Sequence, residues 1–302
     1  MYKKDWWRIS CNVHNSFEDV LIWKLSEFGI TSYSFNYLNI NSSFGELFIW
    51  LPKSNWDKVR IKKFEETFIR LFRSNDHEFS YFRYESVNDN DWLNNWKRYW
   101  TPNLVGKNFL ILPSWIELPK KFQYKNIIKI DPGLAFGSGD HPSTILCLER
   151  MEEESIFSKK ILDIGCGSGI LSIAAGKLGA QSISSIDKDY LSIKSTKENI
   201  ALNFNNQERF QIYLGTFHES MNLYSLSGFD YILCNIIAGI IKEIIPYISK
   251  VMNQNGKIIL SGIISSQKED IIKLLNLYNF KIDHVLSKKD WICIQACLLK
   301  SS

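Results

Sequence analysis

The sequence predicts two folded parts: a small α+β domain with a ferredoxin-like fold, followed by an α/β domain built on a parallel sheet. Composition divides the 302 residues in the same way. Nine of the ten tryptophans lie at or before Trp115, whereas thirteen of the sixteen glycines lie at or after Gly133. In the second half apolar strands alternate with helical segments, which is typical of a parallel α/β sheet.

The ferredoxin-like prediction covers residues 1–85 and depends on the order of the elements. The predicted elements, in chain order, are a strand at Trp6 to Val13, a helix at Phe17 to Phe28, strands at Ile30 to Leu38 and Phe44 to Leu51, a helix at Asn55 to Phe72 and a strand at Glu78 to Tyr84. Gly29 is a typical helix stop. The order βαββαβ is that of the ferredoxin-like fold, and it does not reveal function.

A tryptophan-rich segment, residues 86–130, is predicted as a linker that leads into the second domain. Its first residues, Ser86 to Asp91, are polar. Trp92, Trp96 and Trp100 are four residues apart and therefore share one helical face. Packing between the domains is the preferred interpretation of that face, and an aromatic wall for a partner is the alternative. A short strand is predicted at Phe109 to Leu112.

The second domain, residues 131–302, is predicted to contain one sheet with helices between its strands. The predicted strands are Lys160 to Ile164, Ser182 to Ile186, Tyr231 to Cys234, Lys257 to Leu260, Lys281 to Val285 and Trp291 to Leu298. Only a short segment joins the last two strands, which are therefore expected to form a terminal hairpin.

Composition excludes several classes of protein. Charged residues make up 23% and the net charge is +4, so disorder is not expected. No apolar run reaches the length of a membrane span, and the N-terminus lacks the apolar core of a signal peptide, so a cytoplasmic protein is expected. The six cysteines form no CxxC pair and are predicted to be reduced core residues. The five histidines show no metal-ligand spacing, so no metal is predicted.

The strongest local motif is the glycine-rich run from Ile161 to Leu171, which joins an apolar strand to a helix. Glycines at Gly165 and after it allow a sharp turn and close approach of a ligand to the backbone. The spacing is GxGxG rather than the GxGxxG of dinucleotide sites. Asp163 also places a carboxylate where a pyrophosphate would lie. Both features disfavour NAD and favour S-adenosylmethionine, which has no phosphate and carries a positive sulfonium.

Two further polar residues are expected to end strands of the same sheet. Asp187 follows Gly165 by 22 residues and can accept hydrogen bonds from both hydroxyls of a ribose. Its alternative interpretation is a turn or helix N-cap residue. Asn235 ends the predicted fourth strand, where its carbonyl oxygen could meet an amine nucleophile and its amide the cofactor. A loop-capping asparagine is the alternative there.

The run from Asp131 to Thr144 is predicted to be a structured loop, because it holds three glycines and two prolines without periodicity. Thr144 then opens a helix. Its position before the cofactor strand suggests a lid over the methyl donor, and a simple helix-entry loop is the alternative.

These segments together resemble the bacterial ribosomal protein L11 methyltransferases, the PrmA family, over most of the chain. The matching motifs are DWxxxWK from Asp91, Pro113-Ser114-Trp115, DPGLAFG from Asp131, DIGCGSGIL from Asp163, NIIAG from Asn235, and Leu260-Ser261-Gly262-Ile263 followed by Gln267. The family usually reads GTGTHPTT where this chain reads GSGDHPST, which places Asp140 where a threonine is usual. NIIAG replaces NILAG.

The resemblance implies an N-terminal substrate-recognition domain, a short linker and a class I, Rossmann-like methyltransferase domain. It implies S-adenosylmethionine-dependent methylation of lysine ε-amines and of the N-terminal α-amine of ribosomal protein L11, free or on the large subunit. Cofactor contacts carry over to Thr144, Gly165, Asp187 and Asn235. No direct DNA binding and no membrane are expected.

Asn235 is the predicted catalytic residue, because an asparagine there can orient the lone pair of a neutral amine. His141 is a candidate proton acceptor, although a structural role is the preferred interpretation. Three rivals remain: an adenine-N6 methyltransferase, a small-molecule methyltransferase, and a binding module without catalysis. The first usually carries an aromatic residue after the asparagine, where this chain has Ile236 and Ile237.

Overall fold

The computed structural model describes residues 5–30, 32–37, 43–74, 81–88, 101–123, 125–131 and 139–299. The chain divides into two compact units, Met1–Thr101 and Pro102–Ser302. Within the described ranges, no helix is both long and apolar enough to cross a membrane. All six cysteines are free and five are buried, which confirms them as reduced, largely core residues.

The first unit contains an antiparallel sheet with strand order β2-β3-β1-β4. Its elements are β1 (Asp5–His14), α1 (Glu18–Glu27), β2 (Tyr33–Tyr37), β3 (Phe44–Pro52), α2 (Lys58–Ser74) and β4 (Phe82–Asn88). The predicted βαββαβ order is confirmed, but β4 continues to Asn88, past the predicted end at Tyr84. Backbone pairing with β1, up to Asp5 opposite Asn88, keeps this polar stretch extended.

The core of the first unit lies between the sheet and its two helices. Phe64, Phe68 and Phe72 of α2 are each at most 1% exposed. They pack against apolar residues of α1, β1 and β3. Val59 is the apolar residue nearest the start of the same helix, and it does not share their buried face, since it is 66% exposed. It lies two residues before the buried Ile61, and two residues correspond to about 200° of rotation on a helix.

Much of the segment predicted as a linker belongs to the second unit. It forms a small sheet in the order β5-β6-β7. Its strands are β5 (Asn103–Val105), β6 (Phe109–Pro113) and β7 (Asn126–Ile130). Their apolar side chains join a buried cluster of the second unit, and β6 confirms the strand predicted at Phe109 to Leu112. The tryptophans at 92, 96 and 100 lie outside the described residues.

The main sheet of the second unit has seven strands in the order β10-β9-β8-β11-β12-β14-β13. They are β8 (Lys160–Ile164), β9 (Ser182–Asp187), β10 (Phe210–Leu214), β11 (Phe229–Asn235), β12 (Met252–Ile264), β13 (Phe280–Lys288) and β14 (Trp291–Leu298). Strands β13 and β14 pair antiparallel, which confirms the terminal hairpin. Strand β10 was not predicted; it is a partly exposed edge strand in which polar and apolar residues mix.

Among the described residues, six α-helices accompany this sheet. They are α3 (Pro142–Glu152), α4 (Ile170–Lys177), α5 (Tyr190–Asn203), α6 (Phe217–Leu223), α7 (Ala238–Ile248) and α8 (Lys268–Leu277). The chain runs outward from β8 to β10 in one direction and then returns to place β11 on the other side of β8. Ligands of open α/β sheets bind at such a switch point, beyond the carboxyl ends of the two strands.

Truncation of Phe68 to alanine is expected to lower the free energy of unfolding of the first unit by about 3–5 kcal/mol, because a fully buried ring leaves a cavity. Val59→Ala on the exposed face of the same helix is the control and is expected to change stability by less than about 0.5 kcal/mol. Urea unfolding followed by circular dichroism measures both. Equal effects of the two substitutions would contradict the assigned core.

Candidate active site

The glycine loop between β8 and α4 has the backbone geometry that its composition predicts. Gly165, Gly167 and Gly169 all have positive φ angles, +74°, +54° and +81°. The amides of Gly165 and Cys166 donate to the carbonyl oxygen of Ile186 at 2.9 and 3.0 Å, so the turn is fixed to the end of β9. Residues with a side chain adopt such φ angles only under strain.

Helix α5 holds the same loop through side-chain bonds to its backbone. Thr196 Oγ1 donates to the carbonyl oxygen of Gly167 at 2.9 Å. Asn199 Nδ2 donates to the carbonyl oxygen of Ser168 at 2.9 Å, and its Oδ1 accepts from the amide of Asp131 at 2.8 Å. Both α5 side chains are fully buried. Asn199 therefore joins the glycine loop to the residue that follows β7.

These contacts of α5 were not predicted from the sequence. The available signal was the pair Asn199 and Asn203, four residues apart on one helical face. Asn203 Oδ1 accepts from the amide of Lys129 at 2.9 Å, and Asn203 Nδ2 donates to the carbonyl oxygen of Lys129 at 2.6 Å. The two asparagines thus complete the hydrogen bonding of β7 at the edge of its small sheet.

Asp187 lies at the carboxyl end of β9 and is partly exposed. Its Oδ2 accepts from the amide of Gly167 at 3.0 Å, and its Oδ1 accepts from the amide of Asp189 at 3.0 Å. The helix N-cap is Asp189, which accepts from Leu191. Asp187 therefore stabilises the turn that follows β9 and also binds the backbone of the glycine loop. A carboxylate has about four acceptor positions, so capacity for two hydroxyl donors is left.

Asn235 ends β11, and the structure brings it to Thr144 at the start of α3. Asn235 Nδ2 donates to Thr144 Oγ1 at 3.0 Å. The N-cap position of α7 is Ile237, so Asn235 does not cap that helix. Both residues line a cleft together with the glycine loop. The described residues that line it are Thr144, Asp163, Gly165, Cys166, Gly167, Ile170, Leu171 and Asn235.

Ile236, the residue after Asn235, lies against two glycines. A Cβ atom at Gly165 would overlap with Cγ2 of Ile236, and a Cβ at Gly262 would overlap with its carbonyl oxygen. Gly262 also has a φ of +81°. The absence of side chains at both positions therefore allows Ile236 to fit between the glycine loop and β12. This role of the glycines was not predicted.

Asp163 is buried beneath the glycine loop, where its Oδ2 accepts from the amide and the hydroxyl of Ser172 at 3.1 and 2.6 Å. Burial, with a smaller contribution from the charge of Asp187, raises the pKa of Asp163 to about 7 in spite of the opposing hydrogen bonds from Ser172. The carboxyl group is thus incompletely ionised near neutral pH. The argument that its charge repels a pyrophosphate is correspondingly weaker than the sequence alone indicated.

The histidine and aspartate before α3 have contacts typical of structural residues. His141 Nδ1 accepts from the amide of Ser143 at 3.3 Å and so caps α3, and its ring meets Trp291 edge-on at 4.5 Å. Burial and the charge of Lys289 lower the pKa of His141 to about 4. Asp140 accepts from Asn103 Nδ2 at 3.1 Å. Residues 132–138 of the predicted lid, Asp131 to Thr144, lie outside the described residues.

Comparison with known proteins identifies the family of this fold and cleft. Residues 5–298 match the family model described as Ribosomal protein L11 methyltransferase (PrmA). The chain belongs to the PrmA family. A relative of that name from Prochlorococcus marinus (strain MIT 9301) is 49% identical over 296 residues, 98% of each chain. Another from Synechococcus sp. (strain RCC307) is 31% identical over 95% of each chain.

A solved structure of a family member supports the same fold. The crystal structure of ribosomal protein L11 methylase from Lactobacillus delbrueckii subsp. bulgaricus is 32% identical and superposes with a TM-score of 0.60. The matched region covers 67% of this chain and 100% of the Lactobacillus chain. The predicted α/β methyltransferase fold and S-adenosylmethionine as the cofactor are thereby confirmed for this member of the PrmA family.

The chemistry of the residues that line the cleft suits this cofactor. The described lining residues include Asp163 but no basic side chain. Such a lining suits a ligand with a positive sulfonium and a positive amine better than one with phosphates. The glycine loop offers backbone at close range, and Asp187 offers acceptors for ribose hydroxyls at its edge.

Asn199→Ala is expected to weaken S-adenosylmethionine binding about ten-fold, equivalent to about 1.4 kcal/mol, because the bond to Ser168 of the glycine loop is lost. Asn203→Ala is the matched control, since the side chain of Asn203 bonds the backbone of Lys129 and of Asn199. Titration calorimetry with the folded variants measures both affinities. Equal loss in the two variants would contradict a specific role for Asn199.

Asp163→Asn is expected to change how stability depends on pH. The pKa of Asp163 is raised in the folded protein, so the stability due to its protonated form is complete below about pH 4 and is lost as the pH rises through about 7. The stability of the wild type relative to Asp163→Asn should therefore fall across this range, by at most about 4 kcal/mol. Urea unfolding of the cofactor-free proteins at several pH values tests this, and parallel profiles would contradict it.

Proposed function

We propose that this protein transfers methyl groups from S-adenosylmethionine to lysine ε-amines and the N-terminal α-amine of ribosomal protein L11. Support comes from membership of the PrmA family across residues 5–298 and from the names of its relatives. The observation that carries the amine chemistry is the bond from Asn235 Nδ2 to Thr144. This bond occupies the side-chain nitrogen of Asn235 with a partner in the protein. Its Oδ1 is left as the acceptor on a residue that lines the cleft.

Asn235 is proposed to orient the nucleophile. S-adenosylmethionine, when bound, supplies an electrophilic methyl group on a positively charged sulfur. An attacking amine needs a free lone pair, so one of its N–H bonds donates to Asn235 Oδ1 while the lone pair points away from that bond. Alignment of this kind can supply much of the rate acceleration of a displacement reaction.

The chain also has to favour the neutral amine. A lysine with an ordinary pKa near 10.4 costs roughly 4–5 kcal/mol to deprotonate at pH 7. Ile170 and Leu171 line the cleft, and apolar surroundings disfavour the charged ammonium. Asp163, with its raised pKa, carries less negative charge than an exposed carboxylate and therefore stabilises the ammonium less. The proton leaves to solvent before attack.

The remaining site residues are proposed to hold the cofactor. Asp187 accepts from the ribose hydroxyls, Gly165 brings the loop backbone close, and Thr144 fixes Asn235 through its hydroxyl. The hydrogen bond from the amide of Gly167 positions Asp187, and the bond from Asn235 Nδ2 to Thr144 Oγ1 holds those two side chains together. His141 is not needed as a base, because its low pKa and capping bond support a structural role.

The first unit is proposed to be a ferredoxin-like substrate-recognition domain. Its antiparallel sheet order β2-β3-β1-β4 and its βαββαβ element order support this assignment. The second unit is proposed to bind the cofactor and transfer the methyl group, since the site residues all lie in Pro102–Ser302. A cytoplasmic location follows from the proposed ribosomal substrate.

Incubation with unmethylated ribosomal protein L11 and S-adenosylmethionine is expected to produce a ladder of 14-Da increments, read by intact-mass spectrometry, with peptide mapping to locate the amines. Asn235→Ala is expected to reduce the transfer rate at least about 100-fold, since orientation of the amine is lost. Asn276→Ala, an exposed asparagine on α8, is the matched control.

Two outcomes would contradict the proposal. No mass change with wild-type protein, when calorimetry shows that the cofactor binds, would mean that the substrate is a different molecule. A full transfer rate in the Asn235→Ala variant, with the cofactor still bound, would remove Asn235 from its proposed role.

A further inference from the structure

Helix α7 begins with a residue that is unfavourable for its position. Its N-cap is Ile237, the side chain of which makes no capping hydrogen bond, and its first turn contains no acidic residue. By contrast, His141, Asp189 and Thr216 cap α3, α5 and α6 through their side chains. Isoleucine is one of the poorest N-cap residues, whereas serine at this position stabilises a helix. Folding stability alone therefore does not account for Ile237.

The first turn of α7 is also an exposed apolar surface. Ile237 is 70% exposed, and Ile240, three residues later, is 36% exposed. Between them lies Gly239, where an added Cβ atom would meet no atom within 4 Å beyond its own turn of helix. A single exposed apolar side chain is ordinary on a protein surface. Here the exposure coincides with a position at which a polar residue would stabilise the fold, and conflicts of this kind are expected at functional sites.

Ile237 lies close to the residue that is proposed to orient the amine. It follows Asn235 by two residues, so their Cα atoms are at most about 7 Å apart. Ile236, between them, packs against Gly165 and Gly262, which fixes the course of the chain from one to the other. Asn235 is partly buried and Ile237 is exposed. The chain therefore runs outward from the cleft, and Ile237 lies at the surface beside Asn235.

We propose that Ile237, supported by Ile240, is the contact for the methylene groups of a substrate lysine whose ε-amine is bound at Asn235. The inference rests on the proposed function and adds to it a residue that determines the affinity for the substrate. A lysine carries its nitrogen on a flexible stem of four carbons, and such stems pack along apolar surface. With the nitrogen at Asn235 Oδ1, the stem leaves the cleft past the exposed isoleucine, which buries part of it.

The apolar side chain favours this occupant over an anion. The first amides of α7 could bind a carboxylate or a phosphate, because helix N-termini attract negative charge. An anion there would gain nothing from an isoleucine, and a serine or a glycine would leave the amides equally accessible. The methylene groups of a lysine, in contrast, gain by contact with Ile237, since both surfaces are removed from water.

Ile237→Ser tests the inference because it exchanges the apolar contact for a better helix cap. In the full-length protein the variant is expected to melt about 2–4 °C higher than the wild type, because serine caps α7. Its KM for unmethylated ribosomal protein L11 is expected to rise at least about ten-fold, because the buried apolar contact is lost. Its kcat and its Kd for S-adenosylmethionine are expected to stay within about two-fold. A purely structural role would move stability and activity in the same direction.

Two further variants serve as controls. Ile237→Leu keeps an apolar side chain and is expected to keep KM within about three-fold of the wild type. Leu277→Ser removes an equally exposed apolar side chain from α8, since Leu277 is 72% exposed, and is expected to leave KM unchanged. Initial rates of methyl transfer, thermal unfolding followed by circular dichroism, and titration calorimetry with the cofactor give the three measurements.

The outcomes separate this inference from the proposed function. Methylation of ribosomal protein L11 by the wild type, together with an unchanged KM in Ile237→Ser, would overturn the inference and leave the proposed function standing. Weaker cofactor binding or a lower melting temperature in Ile237→Ser would also overturn it, because the side chain would then contact the cofactor or the core. A wild-type protein that binds the cofactor but methylates no lysine of ribosomal protein L11 would overturn both.

Discussion

The close packing of Ile236 against Gly165 and Gly262 is the constraint on which the arrangement of the cleft depends. Strands β8 and β12 pair in parallel with β11 on its two sides. The residue after Asn235 fits between the glycine loop that follows β8 and the irregular end of β12, because neither glycine has a side chain. The direction of β11 at its end, and therefore the position of Asn235, is fixed by backbone contact. Its side chain is then held by Thr144.

Sequence patterns predicted the parts of this site that come from consecutive residues. The glycine loop after β8, the acidic end of β9 and the asparagine of β11 each follow an apolar run, and parallel strands bring such residues to one edge. The contacts of Thr196, Asn199 and Gly262 could not be predicted in the same way. Each joins elements far apart in the chain, and a polar residue within a helix looks the same in sequence whether it faces solvent or a loop backbone. In segment 103–130 the strand at Phe109 to Leu112 was predicted, whereas β5 and β7 were not, because these short strands gain their burial from other elements of the second unit.

Charge is used differently in the two units. The cleft contains a buried carboxyl group with a pKa near 7 and no basic side chain among its described lining residues, which suits a cationic cofactor and a neutral amine. Helix α2 of the first unit carries the positive excess of the whole chain on its exposed side. The net charge of +4 is thus local to one helix rather than spread over the chain.

The raised pKa of Asp163 affects both folding stability and the proposed catalysis. These two properties place opposite demands on the charge of its carboxyl group. If the substrate is an amine, as proposed above, an ionised carboxylate in the cleft would attract both the sulfonium and the substrate ammonium, and attraction to the ammonium would keep the amine protonated and unreactive. Burial under the glycine loop moderates that charge, and the two bonds from Ser172 keep the carboxyl group in place in either protonation state. Complete removal of the carboxyl group would weaken cofactor attraction, whereas full ionisation would favour the wrong form of the amine. A pKa close to the working pH satisfies both demands in part, at the expense of folding stability at neutral pH.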